Sequence, residues 1–256
     1  ESTSDASEIV IVRATFQLDD SPGLVDPLLN PKQEPSNFFE LPQDILLARE
    51  SIEYKTVHEI PLFNNLREEF SEIFSSLTPM LKAKDLQLYQ HSLRVHSLAI
   101  SFATTTLQLS EAESLKIGLA AFFHDIGKMN INDAILHKAS GLTRLEYEII
   151  KNHPAYGAEI LSQFKLIKSV IPSLYHHHER IDGRGYPEGL RRKAIPLGAR
   201  IIAIVDAFDV MTSRRIYQKS RTPLQAFEEL YENAGTQFDA ELVELFYRFF
   251  EISPHT

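Results

Sequence analysis

Residues 119–128 read LAAFFHDIGK, an apolar run that ends in a histidine, an aspartate and a lysine. The run has the composition of a buried helix, so His124, Asp125 and Lys128 follow directly from the core. Burying such groups is costly unless something pairs them, and a metal ion bound by neutral imidazole and carboxylate would do so. Taken alone, the His-Asp dipeptide is better interpreted as a surface pair.

A second group of polar residues makes the metal interpretation stronger. The motif His-His-Glu at residues 177–179 precedes a glycine-rich turn at 182–187, and the apolar segment 201–205 leads into Asp206 and Asp209. These two aspartates lie about one helical turn apart and share a helix face. Carboxylates in an apolar environment require cations, and carboxylates that bridge metals beside imidazoles are typical of a two-metal phosphoester site.

The composition limits the chemistry that is available. The chain has 256 residues, 43% of them hydrophobic, with ten histidines, no cysteine and no tryptophan. A globular protein is therefore expected, while thiolate metal sites, cysteine nucleophiles and disulfide scaffolds are excluded. The formal charge of −9 argues against a partner that is a nucleic-acid polymer. No apolar window is long enough for a membrane span, and we expect a cytoplasmic protein.

The chain divides into two regions by sequence pattern. Residues 1–64 contain an expected β-strand at 8–18 and several prolines, which indicates a small appended region, regulatory or truncated, or else an arm packed on the main domain. Residues 65–256 show helical periodicity, for example in the apolar residues Leu86, Tyr89, Leu93 and Phe102. Capping-box spacing predicts helix starts at four positions: Asn65, Ser110, Thr143 and Thr222.

An ordered set of motifs resembles the HD-GYP family over roughly residues 85–250. The set consists of His-Asp-Ile-Gly-Lys at 124–128, His-His-Glu at 177–179, Gly-Tyr-Pro at 185–187 and Gly-Thr-Gln-Phe-Asp at 235–239. The resemblance implies an all-α HD-superfamily helical bundle. It also implies a metal-dependent phosphodiesterase that acts on cyclic di-GMP.

The resemblance also implies a ligand set. It assigns to one metal His91, His124, Asp125 and Asp206, and to a second metal Asp125 as a bridge with His153, His177 and His178. Some family members bind a third metal through a glutamate that corresponds to Gln87 here. Because Gln87 is neutral, we expect two divalent ions, iron or manganese.

The implied reaction is in-line attack on phosphorus by a hydroxide that bridges the metals. Lys128 would neutralise charge on the phosphoryl oxygens. Asp209 would orient the nucleophile or carry a proton to the leaving group, or else act as a helix cap or salt-bridge partner. Tyr186 and Arg215 are the expected substrate contacts, whereas Gln218 replaces a basic family residue and puts a second phosphate contact in doubt.

The remaining histidines are not expected to bind metal. We expect His58 and His255 to be surface residues and His137 to lie in a loop. His96 is expected to pack in the core or beside the ligands. His176 is expected to face solvent, because Glu179 fixes the register of the two histidines before it.

The sequence thus predicts a phosphodiesterase that converts cyclic di-GMP to linear di-GMP, with onward cleavage to GMP as a further step. One alternative is a weakly active or inactive HD-GYP scaffold that signals through proteins contacting the Gly-Tyr-Pro loop. Another is a phosphodiesterase of a different cyclic dinucleotide.

Overall fold

A computed structural model describes residues 61–138, 140–164, 166–213 and 221–250, and every regular element within these ranges is helical. The α-helices of this part of the chain are α1 Pro61–Lys84, α2 Leu86–Ser101, α3 Glu111–Phe123, α4 Asp133–Leu136, α5 Arg144–Ile150, α6 His153–Ser162, α7 Ile171–Tyr175, α8 Leu197–Thr212, α9 Pro223–Glu232 and α10 Ala240–Phe249. The predicted all-α class is confirmed for these residues. The expected strand at 8–18 lies outside them.

Three of the four predicted helix starts are confirmed. Ser110, Thr143 and Thr222 each accept a hydrogen bond from the backbone N–H three residues later, and the side chain at that later position bonds back to the cap. These reciprocal bonds satisfy backbone donors that the first helical turn leaves unpaired. They fix where α3, α5 and α9 begin.

The fourth predicted start, at Asn65, is wrong. Helix α1 already runs from Pro61, so Asn65 lies inside it. The capping-box spacing at Asn65 therefore does not mark the start of a helix. No helix of the described ranges, α1 included, has the length and apolar character needed to cross a bilayer.

Helices α3 and α8 form the centre of the core. Residues 117–123 of α3 are all buried, as are Ile201, Ile202, Ile204 and Val205 of α8. Helix α2 packs against both of them, and α7 also contacts both. The polar residues that follow the buried stretches of α3 and α8 therefore come together at one end of the core.

The apolar residues that indicate helical periodicity in and just after α2 are buried to different degrees, and Phe102 is fully buried. Leu86 is 43% exposed, while Tyr89 and Leu93 are only half-buried. The residues that face the core include His91 and Val95. Leu88, Val95 and Ala99 are buried on this side of the helix as well, so His91 occupies a core position among apolar residues.

Candidate metal centre

The His-Asp sequence lies at the C-terminal end of α3, where the helix changes into a tight turn. His124 is the C-cap residue, and a 3-10 helix follows over Ile126–Asn130. A Cβ atom on Gly127 would lie 1.9 Å from the backbone oxygen of His153, so only glycine fits at this position. The turn thereby packs on the N-terminal end of α6 and brings His153 next to Asp125.

His91, His124 and Asp125 form a first group of buried side chains whose potential ligand atoms lie within 4.8 Å of one another. His91 Nε2 is 3.3 Å from His124 Nε2. Asp206 of α8 adds a carboxylate to this group, because its Oδ1 lies 3.1 Å from His91 Nε2 and 3.8 Å from His124 Nε2. The four residues assigned to the first metal are thus brought together.

A second group contains Asp125, His153, His177 and His178, again with ligand atoms within 4.8 Å of one another. His153 Nε2 lies 3.2 Å from Asp125 Oδ1 and 3.3 Å from His177 Nε2. Asp125 belongs to both groups, as expected of a bridging ligand. All seven predicted metal ligands therefore meet at one place in the fold.

The hydrogen bonds of the imidazole rings show which ring nitrogens are free. Nδ1 of three histidines donates to the backbone carbonyl three residues earlier: His124 to Ala121 at 2.7 Å, His153 to Ile150 at 2.8 Å and His177 to Leu174 at 2.6 Å. In a neutral imidazole with its proton on Nδ1, Nε2 carries a lone pair. These Nε2 atoms point at one another and at carboxylates, which is the arrangement that a cation requires.

Burial keeps three of the imidazoles neutral. It lowers the pKa of His153 to about 4 and that of His178 to about 3, and it lowers the pKa of His177 well below its usual value. Neutral imidazole is the form that binds metal. These three side chains are therefore ready to act as ligands at neutral pH.

The pKa of His91 differs from that of those three histidines because the His91 ring lies between two carboxylates. Burial acts to lower its pKa, but hydrogen bonds with Asp206 and Asp209 outweigh that effect and raise the pKa to about 9. Burial likewise acts to raise the pKa of Asp125, but the Lys128 ammonium and the neighbouring histidines hold it well below its usual value. In the absence of metal, a proton on His91 takes the place that a cation would occupy.

One buried atom tests whether a metal fits this site. Asp125 Oδ1 is buried and has no hydrogen-bond donor among the described residues. His153 Nε2 lies near it but carries no proton to donate, since Nδ1 holds the proton. An unpaired buried carboxylate oxygen is costly. A divalent cation between this oxygen and the imidazole lone pair would satisfy both, so the residues present fit a metal.

The model of the HD domain family matches residues 75–242. The chain belongs to the HD domain family. The matched range contains both groups of candidate ligands, and the predicted relation to HD-GYP phosphodiesterases is confirmed together with it. The match that places the chain in this family thus extends over most of the described helices.

Relatives of this HD domain are named as phosphodiesterases of cyclic dinucleotides. The chain is 36% identical over 203 residues to a "Cyclic di-GMP phosphodiesterase" of Thermotoga maritima, covering 78% of this chain and 53% of that protein. It is 36% identical over 192 residues to "3'3'-cGAMP-specific phosphodiesterase 2" of Vibrio cholerae, covering 74% of this chain and 37% of that protein. The chain therefore spans about half the length of these relatives or less.

A solved structure supports the fold. Bd1817 of Bdellovibrio bacteriovorus, described as an HDG"Y"P protein, matches with a TM-score of 0.52 at 21% identity. The match covers 64% of this chain and 52% of that one. At this identity the likeness shows that the helical arrangement is shared.

Behind the ligands, Asp209 and Arg94 hold His91 in place. Asp209 Oδ2 accepts a hydrogen bond from His91 Nδ1 at 2.7 Å. Arg94 donates to both oxygens of the same carboxylate, at 2.6 Å and 3.0 Å. Since Asp209 contacts the nitrogen opposite Nε2, the geometry favours the salt-bridge role over direct contact with a nucleophile.

Lys128 lies beside the carboxylate of Asp125. Its Nζ donates to Asp125 Oδ2 within the same helical turn, and its side chain is 24% exposed. The ammonium group therefore lies between the ligand groups and solvent. This position is compatible with the expected role of Lys128 at a phosphoryl oxygen.

The loop after the His-His-Glu motif of the HD domain is held against the metal ligands by close packing. A Cβ atom on Gly185 would lie 2.4 Å from the backbone nitrogen of Arg180. The buried Glu179 accepts hydrogen bonds from the backbone N–H groups of Glu188 at 2.7 Å and Gly189 at 3.0 Å. Glu179 therefore ties the C-terminal end of the Gly-Tyr-Pro segment to the histidines.

Tyr186 is placed at a cavity next to the metal ligands. Its ring centre lies 4.8 Å from that of His178, with the planes at 32°. The cavity measures about 330 Å³, and its lining includes His178, Tyr186 and Asp206. Tyr186 thus lines the cavity, and its contact with a substrate stays a prediction.

Two further histidines have well-defined surroundings. His96 is buried, donates from Nδ1 to the Gly118 carbonyl at 2.7 Å and packs edge-on against Phe122, which confirms the packing role. The prediction that His176 faces solvent is wrong, because its side chain is only 12% exposed. It follows α7, where its ring packs edge-on against Tyr175 and lies near the Glu179 carboxylate.

Other predicted residues lie apart from the site or outside the described residues. His137 is exposed after α4 and is in neither ligand group. The residues outside the described ranges are His58, Arg215, Gln218 and His255. The contacts expected for Arg215 stay a prediction.

Sequence reasoning missed two residues that support the site. From the sequence, no role is assigned to Arg94, and Glu179 serves only to fix the register of the two histidines before it. The spacing between His91 and Arg94, one helical turn, indicates that both are on one side of α2. Their common partner Asp209 is 115 residues away from Arg94, so sequence spacing alone does not reveal the contact.

Proposed function

We propose that this HD domain is a metal-dependent phosphodiesterase that hydrolyses cyclic di-GMP to linear di-GMP. The observation that carries the proposal is the convergence of imidazole lone pairs on Asp125 and Asp206, with the buried Asp125 Oδ1 lacking a donor. The name of the Thermotoga maritima relative supports the choice of substrate.

The two ligand groups, joined by Asp125, support a binuclear centre. We assign one ion to His91, His124, Asp125 and Asp206, and a second ion to Asp125, His153, His177 and His178. Mixed imidazole and carboxylate ligation suits iron or manganese. Gln87 is exposed and would be a weak ligand for a hard cation, which supports two ions rather than three.

When bound, divalent ions supply Lewis acidity and make a water molecule acidic near neutral pH. The chain's own residues do the positioning. Asp209 and Arg94 hold the His91 ring, so that its Nε2 faces Asp206. Lys128 is placed to stabilise negative charge on a phosphoryl oxygen, and Tyr186 is placed to contact the nucleotide.

The test uses the full chain purified with iron or manganese and incubated with cyclic di-GMP or 3'3'-cGAMP. Products are separated by chromatography, so that linear di-GMP and GMP are distinguished. We expect His124→Ala to abolish cleavage and to lower the metal content. His137→Ala is the matched control, because it removes an exposed imidazole outside the ligand groups.

Each outcome has a defined meaning. Preferential cleavage of 3'3'-cGAMP would replace the substrate but keep the reaction class. Tight binding of cyclic di-GMP without cleavage under either metal would favour the scaffold that signals through proteins at the Gly-Tyr-Pro loop. Unchanged activity in His124→Ala would refute the metal assignment.

A further inference from the structure

The cavity beside the metal ligands has a basic residue on its wall that the proposed chemistry does not use. Asp206 and His178 line the cavity on the side of the ligand groups, and Arg184 also lines it. Arg184 is exposed and immediately precedes the Gly-Tyr-Pro segment. It is therefore within the site but is not one of the ligands.

Among the described residues, two arginines line this cavity, Arg180 and Arg184, and they differ in their partners. Arg180 forms an ion pair with Asp182, and Lys128, which lies beside the ligand groups, is paired with Asp125. Within the described residues, the Arg184 guanidinium makes no hydrogen bond or ion pair. Its charge is therefore available to a ligand in the cavity.

Asp182 is paired with Arg180 and not with Arg184. Its pKa is lowered first by hydrogen bonds from Arg180, and the Arg184 charge makes a smaller contribution. Asp182 Oδ1 accepts from Arg180 Nε at 3.2 Å and from the backbone N–H of Arg184 at 2.9 Å, while Oδ2 accepts from Arg180 at 3.1 Å. These bonds also fix the Arg184 backbone. The tight packing of Gly185 on residues 178–180 fixes it from the other side.

A cyclic dinucleotide carries two phosphodiester groups, each with one negative charge. Metal ions held by the two ligand groups, together with Lys128, would act on the phosphate that is cleaved. The other phosphate lies across the sugar–phosphate ring and needs a separate cation. A guanidinium group suits this role, since it donates several hydrogen bonds to phosphate oxygens in a fixed geometry.

We infer that Arg184 binds the phosphate of the cyclic dinucleotide that is not cleaved. This inference rests on the proposed function, since it requires a substrate with two phosphates. It makes Arg184 a specificity-determining residue that favours cyclic dinucleotides over substrates with a single phosphodiester. Because the side chain is exposed, its contribution is expected to weaken as the salt concentration rises.

The test compares Arg184→Gln with Arg144→Gln in the metal-loaded full chain. Arg144 is an exposed arginine at the start of α5 that does not line the cavity, so its replacement makes the same change in charge. We expect KM for cyclic di-GMP to rise about tenfold in Arg184→Gln and to stay near the wild-type value in Arg144→Gln. Arg184→Lys should recover part of the loss, because it restores the charge but not the fork of donors.

A substrate with a single phosphodiester tests whether Arg184 acts on the phosphate that is not cleaved. Bis(p-nitrophenyl) phosphate has one phosphodiester, so its KM should change several-fold less in Arg184→Gln than that of cyclic di-GMP. Equal changes for both substrates, or equal effects of Arg184→Gln and Arg144→Gln, would overturn the inference. The metal content of Arg184→Gln should equal that of the wild type, and a loss of metal would also overturn it.

Failure of the proposed function would look different. Wild-type protein that cleaves bis(p-nitrophenyl) phosphate but neither cleaves nor binds cyclic di-GMP would refute the substrate, and the Arg184 inference with it. If the wild type binds cyclic di-GMP without cleaving it, calorimetry measures Kd in place of KM. The same tenfold difference between the two glutamine variants is then expected.

Discussion

In the metal-free protein, His91 is expected to carry a proton at neutral pH. Its ring lies between Asp206, 3.1 Å from Nε2, and Asp209, 2.7 Å from Nδ1. Burial lowers the pKa of His91, but the two carboxylates outweigh this and raise the pKa to about 9. A metal ion at this group must therefore displace a proton, whereas the pKa of about 4 at His153 means that no proton has to leave there.

The free energy associated with protonation of His91 follows from the size of its pKa shift. A histidine pKa near 9 rather than 6.5 corresponds to about 3 kcal/mol. Because the folded pKa is the higher one, this stabilisation of the metal-free fold is fully present below about pH 6.5 and is lost as the pH rises through about 9. At pH 7 the affinity of the His91 group for metal should be about 100-fold lower than above pH 9, and it should rise about tenfold per pH unit.

The assay is NMR titration of metal-free protein with labelled histidine, with the His91 signal identified by its loss in His91→Gln. We expect its midpoint near pH 9 and a lower midpoint in Asp209→Asn, since one of the two carboxylates is then neutral. A chelator-competition titration with Mn²⁺ at pH 7 and pH 8 measures the consequence for metal. A His91 midpoint at or below 6.5, or the same Mn²⁺ affinity at both pH values, would refute the reasoning.

Two further predictions concern the packing around the site. Gly127→Ala should lower the free energy of unfolding by about 3 kcal/mol in urea titrations, because the added Cβ meets the backbone of His153. Gly141→Ala is the control, since a Cβ there has open space and should change the free energy of unfolding little. Similar losses in both variants would contradict the packing argument. Glu179→Ala should speed amide hydrogen exchange at Gly189, because the buried acceptor of the Gly189 N–H is lost, while the core amides stay protected. Unchanged exchange at Gly189 would show that Glu179 does not hold the loop.

The parts of this fold that could be predicted are those set by local rules. The capping boxes at Ser110, Thr143 and Thr222 are contained within four residues each, and the structure confirms them. The identity of the ligand set came from short ordered motifs and their resemblance to a family. Such motifs name the residues, but the distances between them depend on how α2, α3 and α8 pack.

Contacts between distant residues could not be predicted in the same way. His91 and Asp209 are 118 residues apart, and no spacing rule connects them until the helices are packed. The prediction for His176 failed for a related reason. Its exposure depends on Tyr175 and Glu179 closing around it, whereas register alone shows only that it precedes the two ligands.

The buried face of helix α2 combines apolar residues with two histidines. A helix normally buries its apolar stripe because burial of that surface stabilises the fold. In α2 the buried positions include His91 and His96, while Leu86 remains exposed. His96 meets the cost of burial by bonding to the Gly118 carbonyl. His91 lies between Asp209, which is paired with Arg94, and Asp206, which has no lysine or arginine partner among the described residues. The polarity of this face is therefore evidence of a ligand site, and its stability should depend on what fills the space between His91 and Asp206.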